Sequence, residues 1–249
     1  MKNTNRIILF RFHDNFAVCR NHLEILKKFN PNIKIFGLFG GKEEDLKRAK
    51  KIGINNVFNV PIDDKAWKWK NGDLCIRWWY KIVGKNINFD ILHLIEWDMI
   101  LLDSIDNFFK HIKNGVAITG KQSLSKIYNT WDWTSGKQGR KEWLALKKYV
   151  NKKYSYNQKP LAGIFGGVCL SREFLKKYSK AEVFSFCNDE VRVPLFAQCF
   201  KMKVSDTGLK NKYFNADDDL ILPKVVYLNA KKGIKSFHPV REKLDIKQL

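Results

Sequence analysis

The stretch from Phe89 to Ser104, FDILHLIEWDMILLDS, decides how the chain is read. Its first part, Ile91 to Ile95, is a short apolar run of the kind that forms a strand covered on both faces. Directly after it, Glu96 and Asp98 stand either side of Trp97. In extended backbone, residues i and i+2 point to the same side, so both carboxylates face one way while Trp97 turns into the packing. Two acids held together in a half-buried place repel unless a cation or a shared proton compensates them. Mg²⁺ or Mn²⁺ bridging a diphosphate is a natural compensator, because such ions take one or two carboxylates and complete their shell with phosphate oxygens and water. The competing explanation is that Glu96 and Asp98 cap a helix running from Met99 to Phe109.

Working outward, the first hundred residues alternate short β-branched or aromatic runs with longer charged segments of helical spacing, the pattern of βαβ units and a largely parallel sheet. Strands are predicted at Ile7–Phe12, Ile33–Phe39, Asn56–Val60 and Ile91–Ile95, and a fifth at Val116–Thr119. Helices are predicted at Phe16–Phe29, at Lys42–Ile52 closed by Gly53, at Leu74–Val83 capped by Asp73 and stopped by Gly84, and around Leu101–Phe109. Trp78 and Trp79 are expected in the core. The fold class is therefore α/β, a mostly parallel Rossmann-type sheet flanked by helices, with a smaller irregular C-terminal part. A single domain over residues 1–249 is expected, with 1–110 forming one half and 111–249 the other.

In an open α/β sheet, ligands bind beyond the carboxyl ends of the strands, which is where Glu96 and Asp98 fall. Other residues gather as candidates. His13 and Asp14 end the first strand, and Arg77 and Lys81 lie one helical turn apart, suited to phosphate. Asp63 and Asp64 follow the third strand. Gly163, Gly166 and Gly167 allow the close approach of a flat ligand or simply a tight turn. In CNDEVRVPLF, Asn188, Asp189 and Glu190 sit at a helix start, where capping uses at least one and leaves a surplus acid for general-base work. His238 precedes Pro239, which pushes it toward extended geometry.

With E-W-D closing the fourth strand, the chain resembles the GT-A class of nucleotide-sugar-dependent glycosyltransferases, whose fourth strand ends in a D-x-D-type motif. The resemblance covers most of the chain in element order and rests on short motifs. It implies a divalent cation, Mn²⁺ or Mg²⁺, held by Asp98 with His238 as a late ligand and Glu96 assisting. It also implies a nucleoside diphosphate sugar as donor, a UDP-sugar favoured, bound near His13, Asp14, Arg77, Glu96, Asp98, Gly166 and Gly167. Residues 1–110 would then be the nucleotide-binding half and 111–249 the acceptor-binding half. Asp189 or Glu190 would activate the hydroxyl of a glycan, lipid-linked or other acceptor. A single carboxylate pair outside the metal motif favours inversion.

Composition adds a field rather than a fold. Forty-six Lys and Arg against 25 acids give a formal charge of +21, which attracts nucleotides, nucleic acid or anionic lipid, although a lysine- and asparagine-rich composition also follows from an AT-biased genome. Between Lys137 and Lys159, eight basic residues and one acid interleave with Trp143, Tyr149, Tyr154 and Tyr156. That pattern raises a second reading, a basic nucleic-acid-binding or metal-dependent nucleic-acid-processing protein, for which Asp217 to Asp219 would be further acids. No nucleic-acid-binding signature appears, so no specific nucleic acid is expected. The phosphate loop of a nucleotidyltransferase is missing after the first strand. Five scattered cysteines without a C-x-x-C pair, and no long apolar segment, lead to the expectation of a reduced cytoplasmic protein, with peripheral contact to an anionic membrane as an added expectation.

Overall fold

A computed structural model describes residues 4–215 and 220–249; the acidic run Asp217 to Asp219 lies outside them. The chain begins β1 (Arg6–Phe12), α1 (Phe16–Phe29), β2 (Lys34–Phe39), α2 (Leu46–Ala49), β3 (Val57–Asn59), α3 (Lys65–Lys70), α4 (Gly72–Ile82) and β4 (Ile91–Glu96). It continues with β5 (Ile100–Leu101), α5 (Ile105–Phe108), β6 (Val116–Ser123), α6 (Gly136–Tyr154), β7 (Leu161–Ser171), α7 (Arg172–Lys180), α8 (Asp189–Cys199), β8 (Val204–Asp206), α9 (Pro223–Ala230) and β9 (Ser236–Phe237). The main sheet has seven strands in the order β3-β2-β1-β4-β7-β6-β8, and only β7 runs against the others. The fold class is α/β with a mostly parallel sheet.

The apolar strands are continuous runs because both faces are covered. In β1, Ile7 and Leu9 join one core, while Ile8, Phe10 and Phe12 join the core on the opposite face. In β4, Leu92 and Leu94 fall on the first side and Ile91 and Ile95 on the second. Each such buried side chain contributes roughly 1.5–3 kcal/mol relative to exposure. Following the same alternation, Arg11 and Glu96 emerge on one face, and the parallel register sets them side by side.

Several local expectations change. The helix predicted over Lys42–Ile52 is a 3₁₀ turn at Glu43–Asp45 followed by the single turn of α2. Trp79 is core at 1% exposure, but Trp78 is an exposed residue. Asp73 does not cap α4. It sits inside the helix's first turn, buried against Arg192 of α8, whose Nε and Nη2 donate to its two oxygens at 2.9 and 2.6 Å. The Tyr178 hydroxyl also donates to Asp73. Burial alone would lower the Arg192 pKa, but Asp73 more than reverses this and the net direction is upward. The pair joins α4 to α8 beneath the carboxyl edge of the sheet.

A buried ion pair is costly to break singly, because the remaining charge keeps its desolvation penalty. Asp73→Ala is therefore expected to lower the free energy of unfolding in urea by about 3–5 kcal/mol. A loss below about 1 kcal/mol, the size of an exposed pair, would contradict this placement.

Candidate active site

β1 connects to β2 on one side while β4 lies on the other, so the strand order reverses between β1 and β4. At such a switch point the connections diverge and leave a ligand-sized gap at the carboxyl ends. The gap here is a crevice of about 850 Å³. Arg11 to His13 and Glu96 to Asp98 form its floor. Ile164 to Gly166 of β7, Asn188 to Glu190 at the start of α8, residues of α3 and the segment 131–133 form its walls, and His238 and Arg241 close the remaining side.

β4 stops at Glu96, and Met99 N donates to Glu96 O at 3.0 Å, a turn that brings Asp98 back beside Glu96. The two acids thus meet through a turn rather than through the alternation of a continuing strand. Trp97 lies edge-on to His13 at 5.0 Å. The capping explanation for these acids does not hold, since α5 begins later and Ser104 Oγ accepts from Asn107 N as its cap.

His238 Nε2 lies 3.6 Å from Asp98 Oδ1. One ligand atom from each of Glu96, Asp98 and His238 falls within 4.8 Å of the others. His238 Nδ1 is 2.8 Å from Asn215 O. A carbonyl only accepts, so Nδ1 carries a hydrogen, and Nε2 is the ring nitrogen turned to the acids, the one a metal would take. Two carboxylates and an imidazole suit Mn²⁺ or Mg²⁺, the nitrogen favouring Mn²⁺. Burial pushes the Asp98 carboxyl up, with His238 opposing and Glu96 adding to the rise. A bound cation would relieve that cost. Arg241 Nε stands 3.5 Å from the other Asp98 oxygen.

Sequence reasoning missed Arg11. Its Nη1 donates to Glu96 Oε1 at 2.8 Å, and its Nη2 donates to Lys68 O and Trp69 O at 2.8 and 2.9 Å. Burial would lower the Arg11 pKa, but Glu96 and then Asp189 outweigh it and the direction is upward. The available signal was a charge set inside an apolar strand, in phase with Glu96. His22 was missed too; its ring nitrogens lie 2.7 Å from Trp97 O and 2.9 Å from Glu242 O, fastening the acidic turn to the C-terminal segment. The crevice tryptophans Trp69, Trp131 and Trp133 carried no distinguishing pattern.

Of the α8 acids, neither caps in the usual sense, and Asn188 makes no capping bond. Asp189 is buried and accepts from Gly72 N at 3.0 Å. A Cβ at Gly72 would come within 2.7 Å of Arg11 and 2.8 Å of Asp189, so a larger residue there would displace these side chains. Glu190 is half-buried, with Phe165 N donating to Oε1 at 3.1 Å and Asn188 Nδ2 to Oε2 at 2.9 Å. Burial raises the pKa of both acids, Asp73 adding to the rise at Asp189, while the Asn188 and Phe165 donors oppose it at Glu190.

The remaining candidates divide. His13 lines the crevice, its Nδ1 without a hydrogen bond, and burial lowers its pKa. Asp14 is outside the lining and pairs with Lys65. Arg77 is not brought to the crevice: its guanidinium donates to Tyr178 O and Ala181 O at the end of α7. Asp64 caps α3, and Asp63 accepts from Glu43 N. Gly166 lines the crevice; Gly167 has φ 78°, and a Cβ there would meet Leu209 at 2.4 Å. The basic segment is largely α6, whose Trp143 is buried while Tyr149 and Tyr154 pack on Phe184 and Phe196. Its aromatic rings face the protein, so they form no platform for bases.

No protein-family model and no curated protein matches the chain. Among solved structures it is similar to the galactosyltransferase LgtC in complex with donor and acceptor sugar analogs, at 12% identity over 87% of this chain and 76% of that one, TM-score 0.41. It is similar to the apo structure of WbbM, a bifunctional glycosyltransferase, at 12% identity over 98% of this chain, with TM-score 0.47. There the chain spans 47% of the other's length. It is also similar to apo mouse xyloside xylosyltransferase 1, at 14% identity over 72% of this chain and 70% of that one, TM-score 0.34.

A cation that binds only the folded state raises its stability by mass action, about 2.7 kcal/mol at a hundred times Kd. Mn²⁺ is expected to raise the melting temperature of the wild type, and this rise should vanish in Asp98→Asn and His238→Gln. Retention of the full rise in both variants would place the ion elsewhere.

Proposed function

We propose that the protein is a glycosyltransferase that moves a sugar from a nucleoside diphosphate sugar, a UDP-sugar favoured, to an acceptor hydroxyl. The observation that carries this reading is the crevice itself. A donor set for a divalent cation and a carboxylate at a helix start line one gap, at the sheet edge where nucleotides are commonly held.

In this reading Asp98 and His238 would hold the ion, and Glu96, steadied by Arg11 through Oε1, would assist them. The ion, when bound, neutralises the charge that builds on the departing diphosphate. His13 and the backbone at Gly166 border the donor. Glu190 is the base: it reaches the crevice, and its two donors hold it in place. It takes the proton of the acceptor hydroxyl as the oxygen attacks the anomeric carbon. Asp189, pinned between Gly72 N and Arg11, positions rather than reacts. One reacting carboxylate on this side favours direct displacement with inversion. The first 110 residues then carry most of the nucleotide side and the remainder most of the acceptor side.

The nucleic-acid reading loses its main support because the α6 aromatics face inward. The lysines of α6 that face solvent favour an acceptor presented at an anionic surface. No helix among the described residues is long and apolar enough to cross a membrane.

Calorimetric titration with UDP tests the reading: saturable binding that requires Mn²⁺ supports it, and binding of polynucleotide with no UDP binding would refute it. Catalysis gives a second test. A base must be ionised, and the Glu190 pKa is raised from its ordinary value, desolvation in the crevice being the main cause. Turnover should therefore fall as pH drops through that raised value. Glu190→Gln is expected to lower kcat by about 10²–10⁴ and remove this acid limb while UDP binding persists. An unchanged acid limb in the variant would exclude Glu190 as the base.

A further inference from the structure

The crevice has two ends of different chemistry. One holds Glu96, Asp98 and His238. At the other, Trp69 of α3 and Trp133 of the segment before α6 set their rings 5.5 Å apart with planes at 52°. Trp69 is 64% exposed, an unusual state for a residue whose burial would be strongly favourable. Lys70, Asp132, Asn188 and Glu190 line the crevice alongside these rings. The Trp133 indole is close enough to Glu190 to help stabilise its carboxylate.

The elements that carry this wall are tied together by one carboxylate. Glu142 of α6 pairs with Lys70 Nζ at 3.0 Å and accepts from Cys187 N at 2.6 Å, joining α3, α6 and the approach to α8 through one carboxylate. Burial would raise the Glu142 pKa, but Gln138 Nε2, Lys70 and Cys187 N together hold it below its ordinary value. An indole has only two side-chain torsions, so covering it costs little conformational entropy.

We propose that Trp69 and Trp133 form a pyranose-binding subsite for the acceptor, which identifies the acceptor as a saccharide; the proposal rests on the sugar-transfer reading above. A pyranose has a face of C–H groups and a rim of hydroxyls. The face suits an exposed indole, and the rim suits charged and amide groups spaced around it. An acyl chain would have to displace water from Lys70, Asp132 and Glu190 while offering them no hydrogen bond, which is costly. A nucleobase would use the rings but offers few groups for the surrounding acids. A ring seated on Trp69 brings one rim hydroxyl to Glu190. Its proton passes to the Glu190 carboxylate and its oxygen forms the new bond to the donor's anomeric carbon. The bond from that carbon to the diphosphate breaks, and its electron pair leaves on the diphosphate oxygen.

The test is saturation-transfer NMR on the full chain with methyl pyranosides of gluco, galacto and manno configuration, and with uridine. At least one pyranoside is expected to receive saturation on its C–H face, with affinity about tenfold weaker in Trp69→Ala and largely restored in Trp69→Phe. Trp69 is exposed, so the alanine variant should stay folded, and an unchanged thermal shift with UDP and Mn²⁺ verifies this. If no pyranoside binds while UDP does, the subsite is wrong and the donor reading stands. Pyranoside binding without UDP binding supports the subsite and removes the donor. Uridine displacing the pyranoside, or Trp69→Ala binding as wild type does, overturns the proposal.

Discussion

The site depends on a long-range backbone pairing. β5, directly after the acidic turn, pairs antiparallel with β9, with Ile100 opposite Phe237 and Leu101 opposite Ser236. Beyond the ladder, Val240 N donates to Asp98 O at 2.8 Å and Leu102 N to Lys235 O at 2.8 Å. Two strands of two residues each cannot hold such a closure by hydrogen bonds alone. A separate apolar cluster, including Ile25, Ile100, Val226, Phe237, Val240 and Leu244, makes it stable. His238 follows this pairing immediately, so its meeting with Asp98 is a consequence of core packing and not of attraction between the two groups.

Around that closure the protein concentrates charge in buried and half-buried positions. Arg11 neutralises Glu96 and steadies Asp189, while Arg192 neutralises Asp73. Each arginine also donates to backbone carbonyls, so its guanidinium keeps its hydrogen-bond partners when buried. Asp98 is different. Its neighbours His238 and Arg241 stand at 3.6 and 3.5 Å, longer than the other two arginine pairs, and burial still raises its pKa. Asp98 shares this incompletely offset burial with Asp189 and Glu190, which line the same crevice. Such residual electrostatic tension is a common mark of a functional position.

Much of this was legible in the sequence. The β-branched runs and the helical period of Phe16–Phe29 gave β1 to β4 and α1 within a residue or so, because a sheet covered on both faces demands continuous apolar strands. E-W-D and His238 stood out as candidates because acids closing a buried strand fall where ligands of an open sheet bind, and the structure does bring the three groups within 4.8 Å of one another. What was hidden depended on tertiary contacts. Asp73 carries the spacing of a cap, yet a partner 119 residues away takes it into the core. Arg77 and Lys81 share a helical face, but Arg77 donates to the end of α7, Lys81 is exposed, and neither lines the crevice. Asn188 and Asp189 read as caps, whereas the close approach of Gly72 and the pairing with Glu190 engage both. The basic, aromatic run 137–159 looked like a groove because its lysines and rings alternate in sequence; once wound into α6 they separate to opposite sides.

The central claim is that the turn after β4 and the returning C-terminal segment hold one divalent ion against a diphosphate. Crystals grown with UDP and MnCl₂, measured at the manganese absorption edge, test it most directly. The account predicts a single anomalous peak bonded to an Asp98 oxygen and to His238 Nε2, with a phosphate oxygen of UDP in the same shell. Nucleotide density in the crevice with no such peak, or a manganese peak bound away from these two side chains, would contradict it.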